Sequence, residues 1–209
     1  VIVLMGFFVG HLVTVLAYFP ERLSEEFWLW PLLRVWEGFS SFGGFLGAVI
    51  GSLVFFRWIR RRPYLRHADC IAFGFPFGWF FGRIGCGVVH DHIGALTTSP
   101  LGMQFSDGVR HELGLYEAAF MVPMMLLFVW LGRKERGPGL FMGLFATIYA
   151  PVRFWLDTLR NEDLVNKDAR YLGLTPAQYG TIILFVVGIA LLMHVRNHTA
   201  TDKVDSSRG

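Results

Sequence analysis

Apolar residues fall into six long runs along this chain, separated by short polar segments rich in arginine. A helix needs roughly 20 mainly apolar residues to cross a bilayer, and the six runs approach that length. The pattern predicts helices over 1–19, 39–59, 70–89, 113–131, 140–156 and 181–195, the last short unless 176–180 extends it. Gly43, Gly44, Gly47 and Gly51 place small residues along one face of the second, which favours close helix packing in lipid. The expected architecture is an all-α polytopic membrane protein, with one transmembrane helical domain over 1–195 and a polar cytoplasmic tail over 196–209. Because the sequence opens on Val1, already inside an apolar run, an upstream helix is expected, making seven in the full chain.

The polar segments set the orientation. Arg57, Arg60, Arg61, Arg62 and Arg66 separate the second and third runs, Arg133, Lys134 and Arg136 the fourth and fifth, and Arg196, Lys203 and Arg208 follow the sixth. The opposite loops hold fewer basic residues: Arg22 and Arg34, then Arg110, then Arg160, Lys167 and Arg170. The positive-inside bias puts the first set and the C-terminus in the cytoplasm, with Trp28, Trp30 and Trp36 as outer interfacial anchors.

Against that frame, Arg83 and Arg153 stand out. A charge near hydrocarbon costs at least about 2.5 kcal/mol, so an intramembrane arginine implies an anion, a partner or a watery cavity. Both lie at the outer ends of their helices. Tyr149, Arg153, Asp157 and Arg160 step by four, four and three, so they share one helical face. A guanidinium offers a planar fork of donors suited to two phosphate oxygens. The functional reading is therefore phosphate binding, and the structural one an ion pair of each arginine with Asp91 or Asp157.

Composition narrows the classes. At 54% hydrophobic and 17% charged, the chain is far from a soluble domain, and a net charge of +3 gives no ground for a nucleic-acid partner. Cys70 and Cys86 cannot form a disulfide framework. Cys86 and His90 are four apart and would share a helical face, but with Asp91 and His92 they lack a completing second cluster, so no metal is expected. His90, His92 and His111 are candidate proton acceptors. Cys86 reads as a small residue packing the site rather than a nucleophile, and His11, His67, His194 and His198 as solvated or interfacial.

Four segments carry a family resemblance. The run Gly82-Arg83-Ile84-Gly85-Cys86-Gly87-Val88-Val89-His90-Asp91-His92-Ile93-Gly94 resembles the pattern Gly-Arg-(Ile/Leu)-Gly-Asn-Phe-x-Asn-Gly-Glu-x-x-Gly of bacterial prolipoprotein diacylglyceryl transferases. His111-Glu112-Leu113-Gly114-Leu115-Tyr116-Glu117 is similar to that family's His-Pro-Ser-Gln-Leu-Tyr-Glu. Tyr149, Arg153, Asp157 and Arg160 resemble its Tyr-Gly-x-x-Arg-x-x-x-Glu-x-x-Arg, and Leu172 to Tyr179 its segment before the last helix. Departures are equally clear: Cys86 and Val89 replace two asparagines, and Phe42 stands where the family has a histidine thought to assist catalysis.

The resemblance implies transfer of the diacylglyceryl group of phosphatidylglycerol to the lipobox cysteine of a preprolipoprotein signal peptide. That is the first step of lipoprotein maturation, here at the outer side of the bacterial inner membrane. It implies membrane lipids as surroundings and no cofactor. Arg83 and Arg153 would stabilise the departing phosphate, with His92, His90 or His111 as base. Arg83, Cys86, Asp91, Gly94, Tyr116, Glu117, Tyr149, Arg153, Asp157 and Arg160 would line the substrate site. The alternatives are a non-catalytic phospholipid-binding relative that lost its base, and a small anion transporter or channel. The latter predicts polar residues through the whole membrane depth, whereas here they stop on one side.

Overall fold

The computed structural model describes residues 1–20, 23, 30–34, 38–164 and 167–206, with side chains to 197. Trp28, Trp36 and Arg22, expected in an outer loop, lie outside the described residues, as does the side chain of His198. Long helices occupy all six predicted places. They are α1 (Ile2–Val13, continued by a π-turn Thr14–Tyr18), α3 (Ser41–Leu53, continued by Val54–Ile59), α4 (Tyr64–Val88), α5 (Leu113–Leu131), α6 (Leu140–Thr158) and α7 (Pro176–Ser206); a single turn, α2 (Trp30–Leu33), lies between the first two. Four are long and apolar enough to cross a membrane: Ser41–Ile59, Tyr64–Val88, Leu113–Leu131 and Pro176–Asn197, with Ile2–Tyr18 a shorter apolar helix. The chain is a polytopic, mainly helical membrane protein.

It forms two compact units. The first comprises 1–67 and 168–180, the second 68–167 and 181–209. In the first, α3 starts where Ser40 caps it, accepting a hydrogen bond from Gly43 N at 3.2 Å. Gly43, Gly47 and Gly51 are buried against α1, where an added Cβ would lie 2.2 Å from Met5 O at Gly47 and 2.9 Å from Gly10 Cα at Gly43. The small-residue face thus permits backbone-close packing. Gly44 turns instead toward the Phe39 ring. His11 is a correction: it is buried rather than interfacial, because Pro31 O and Gly38 O face its two ring nitrogens at 2.9 and 3.5 Å. The segment before α7 builds a capping box, with Gln178 N donating to Thr175 Oγ1 at 3.2 Å and Thr175 N to Gln178 Oε1 at 3.0 Å. Pro176 takes the first helical position, where its missing N–H costs nothing.

In the second unit, α4 begins six residues before the predicted Cys70 and carries Asp69 inside. The Asp69 carboxylate reaches across to α6 and accepts from Met142 N at 2.9 Å, so it caps another helix's unpaired N–H groups. The helix ends at Val88 because His90 adopts a left-handed φ of 53° and Asp91 N bonds back to Cys86 O at 3.1 Å. This is a Schellman-type stop, for which glycine is usual. His90 therefore does not share a helical face with Cys86, correcting the expected spacing. Between α4 and α5, where the apolar pattern predicts only a loop, the chain forms a sheet: β1 (Ile93–Leu96), β2 (Met103–Phe105) and β3 (Gly108–Glu112), antiparallel in the order β1-β3-β2. Ser106 and Asp107 form its two-residue hairpin turn, and Gly108, at φ 137°, opens β3 opposite Phe105.

Candidate functional site

Two close approaches position the site. At Gly114 on α5, an added Cβ would sit 3.0 Å from Gly87 N and 3.2 Å from Arg83 O on α4, so these backbones nearly touch. At Gly94 a Cβ would fall 2.7 Å from both Leu159 O and His111 Cβ, which seats β1 between the end of α6 and β3. Ala95 N completes that seam by donating to Leu159 O at 2.8 Å, and Gly94 bridges to Arg160. The three motif segments therefore converge through backbone contact.

Glu117, one helical turn beyond Gly114, is the buried centre. Trp79 Nε1 donates to its Oε1 at 2.7 Å, Tyr149 Oη donates to the same oxygen, and Arg83 Nε pairs with Oε2 at 3.1 Å. The last contact is an ion pair without hydrogen-bond alignment. The Arg83 guanidinium lies over the Trp79 ring, 4.4 Å from its centroid, one turn earlier on the same helix. Its Nη1 donates to His92 Nε2 at 2.9 Å and approaches Cys86 Sγ at 3.9 Å. Among the described residues, no protein group takes its Nη2.

Arg153 enters from α6 and pairs with Asp157 at 3.1 Å. Tyr149, one turn before Arg153 on α6, bonds the same Glu117 carboxylate that pairs with Arg83, so α6 brings Arg153 toward the hub that holds Arg83. Arg160 acts on Asp91 and His92 from beyond the helix end. The expected partnership of Arg83 with Asp91 is not what forms. The turn at His90 carries Asp91 past the helix, leaving Glu117 to pair with the arginine, while Asp91 Oδ2 sits 3.3 Å from His92 Nδ1. The facing His92 N–H holds the Asp91 carboxyl below its ordinary value. Burial lowers the His92 imidazole, and Arg83 adds to that against the pull of Asp91.

The remaining candidates keep other company. His90 lies 3.0 Å from Glu112 and edge-on to Phe105. His111 Nδ1 is 3.0 Å from Tyr116 Oη, whose hydrogen goes to Leu101 O, so the imidazole donates. Phe42 packs in the first unit against Gly180, where an added Cβ would meet its ring at 1.9 Å. No motif marks Trp79, and its i, i+4 spacing to Arg83 is the one local signal of its place here. Cys86, Asp91 and His92 place donor atoms within 4.8 Å of one another, the group among the described residues best arranged for a metal. Arg83 aims its charge at the same imidazole and opposes a cation there. The arrangement instead suits an anion whose oxygens meet two oriented arginines.

A family model described as prolipoprotein diacylglyceryl transferase matches residues 1–194. The chain is 32% identical over 197 residues to the phosphatidylglycerol–prolipoprotein diacylglyceryl transferase of Erythrobacter litoralis, covering 90% of this chain and 68% of that one. It is 30% identical over 205 residues to the enzyme of the same name from Idiomarina loihiensis, covering 95% and 74%. With that from Nitratidesulfovibrio vulgaris strain Miyazaki F it shares 34% over 186 residues, covering 87% and 68%. With its arginine-bearing helices and the seam around Gly94 matched along nearly its whole length, the chain belongs to the prolipoprotein diacylglyceryl transferase family.

Proposed function

We propose that this chain transfers the diacylglyceryl group of phosphatidylglycerol to the lipobox cysteine thiol of a preprolipoprotein. Family membership supports the reaction class, and the Glu117 hub, reached by Arg83 from α4 and by Tyr149 from the helix that carries Arg153, supports the role of the site. In this reading a thiolate attacks the glycerol carbon that bears the phosphate ester. The carbon–oxygen bond breaks, a thioether forms, and glycerol phosphate leaves with growing negative charge. Oriented guanidinium donors stabilise that charge more in a water-poor site than in bulk water.

Arg83 carries this reading. Glu117 and Trp79 hold its plane, and Nη2 is left for a substrate oxygen. The carboxylates Glu117 and Asp157 roughly balance the two arginines, so phosphate recognition rests on aimed donors rather than on a broad positive field. Arg83, Cys86, Asp91, Gly94, Glu117, Tyr149, Arg153, Asp157 and Arg160 form or border this site, and Tyr116 sits at its His111 margin. The arginine bias of the loops supports a bacterial inner-membrane location with the site toward the outer face.

The test is reconstitution of the full protein in phosphatidylglycerol liposomes with a lipobox peptide. The expected product is a peptide whose mass has grown by one diacylglyceryl group, with release of glycerol phosphate. A well-folded protein that yields neither product contradicts the reading.

A further inference from the structure

The family's histidine position is occupied by Phe42, which offers no proton acceptor, yet a thiol attack needs one. We infer that the Asp91–His92 pair supplies it, with His92 Nε2 taking the proton from the substrate thiol beside Arg83. This rests on the transferase reading above and assigns a residue within it.

Three observations carry the assignment. The Schellman-type stop at His90 folds the chain back, so that His92 faces Arg83 rather than continuing along the helix axis. The tautomer follows from the contacts: an arginine can only donate, so Nε2 accepts from Arg83 and the ring hydrogen sits on Nδ1, facing Asp91 Oδ2 at 3.3 Å. Asp91 faces that ring hydrogen at ion-pair distance without hydrogen-bond alignment, and a base with a carboxylate behind it and its lone pair beside Arg83 is the arrangement nucleophile activation requires. Third, the groups around the ring are Arg83 and Cys86 from α4, Asp91 from the turn, Arg153 from α6 and Arg160 beyond it, and three of these are cations. They disfavour the imidazolium and keep the ring ready to accept near neutral pH.

The sequence of events is coupled. When the lipid phosphate engages Arg83, its oxygens compete for the guanidinium that holds Nε2, which frees that lone pair for the thiol. The S–H proton passes to Nε2 as sulfur bonds to the glycerol carbon. The C–O electron pair leaves with the phosphate, and the proton then moves from the imidazolium to the departing phosphate monoester. The net change is thiol plus phosphodiester to thioether plus glycerol phosphate, with no redox partner.

His90 and His111 compare poorly. His90 engages Glu112, and His111 donates through Nδ1 to Tyr116; neither contacts Arg83 in the described residues. The experiment measures kcat, KM for phosphatidylglycerol and the pH–rate profile in proteoliposomes for wild type, His92→Gln, His92→Ala, His90→Gln and His111→Gln. Lipid retention by each purified protein is scored separately. Expected for His92→Gln is a loss in kcat of about 10²-fold or more, KM within about threefold by the separation of binding from chemistry, and disappearance of the acid limb. In wild type that limb lies below the ordinary histidine value of about 6.5, and activity falls as pH drops through it. Added imidazole should partly restore His92→Ala, which a purely structural role would not allow. Wild-type kcat in His92→Gln, an unchanged acid limb, or a larger loss in His90→Gln or His111→Gln overturns the assignment. Absence of product from folded wild type instead defeats the transferase reading beneath it.

Discussion

Arg83 and Arg110 are equally hidden, each 2% exposed, yet their surroundings assign them different work. Arg110, on β3, spends its whole fork on the protein. Its Nε donates to both Asp107 oxygens at 3.1 and 3.0 Å, its Nη1 to Gly94 O and Asp163, and its Nη2 to Asp107 at 2.7 Å and again to Asp163. That makes it a staple holding the hairpin, β1 and the segment after α6. Arg83 gives one edge to Glu117 and its face to Trp79, and lends Nη1 to a neutral imidazole. Burial alone therefore does not identify a functional arginine. The donors left over separate the two, and the role proposed for Arg83 rests on them.

The sharpest way to break this contrast is to remove each arginine and measure product per folded molecule. Arg83→Ala should lower the rate by about 10²–10³-fold, the range for losing a transition-state donor. Arg110→Ala should lower the thermal midpoint while leaving the rate of the folded fraction within a few-fold. Equal losses in rate would erase the distinction.

The staple also predicts an acid signature. Arg110 holds Asp107 and Asp163 below their ordinary values, chiefly through direct hydrogen bonds. Depressed carboxylates contribute stability above the unfolded value of about 3.9, and that contribution is lost as pH falls through the lower folded value. Wild type should lose thermal stability more steeply below about pH 4 than Arg110→Ala does. Parallel curves would place the stabilisation elsewhere.

Smaller again is the contrast between glycines of the same motif. A Cβ at Gly94 meets backbone at 2.7 Å, so Gly94→Ala should cost about 1–3 kcal/mol of stability by overpacking. A Cβ at Gly82 meets nothing within 4 Å among the described residues, and Gly82→Ala should be neutral or stabilise by up to about 1 kcal/mol. Thermal or denaturant unfolding of the two variants in one detergent decides between them.

These contrasts also show what the sequence could reveal. Long apolar runs demand helices, so all six helix positions were legible, as was the Tyr149–Arg153–Asp157 face, because helical spacing alone places those residues together. In the sequence Arg110 is one more loop charge. Its importance depends on Asp163, more than fifty residues away, which no local pattern reports. Glu117 as the hub was equally hidden, since three helices must meet before one carboxylate can serve Trp79, Tyr149 and Arg83. The sheet is not legible because its strands are only three to five residues long and its two-residue turn, Ser106-Asp107, is not an Asn-Gly or Asp-Gly pair. The outward turn of Asp91 depends on His90 taking a left-handed conformation, which residue type does not foretell.

The central claim is that Arg83 and Arg153 meet the same lipid phosphate, and a double-mutant cycle on kcat/KM for phosphatidylglycerol tests it most directly. With Arg83→Ala, Arg153→Ala and the double variant, contact with one phosphate predicts that the second substitution costs far less once the first is made. The expected coupling is about 1 kcal/mol or more. Losses that add within about 0.5 kcal/mol would mean that the two arginines act on separate things.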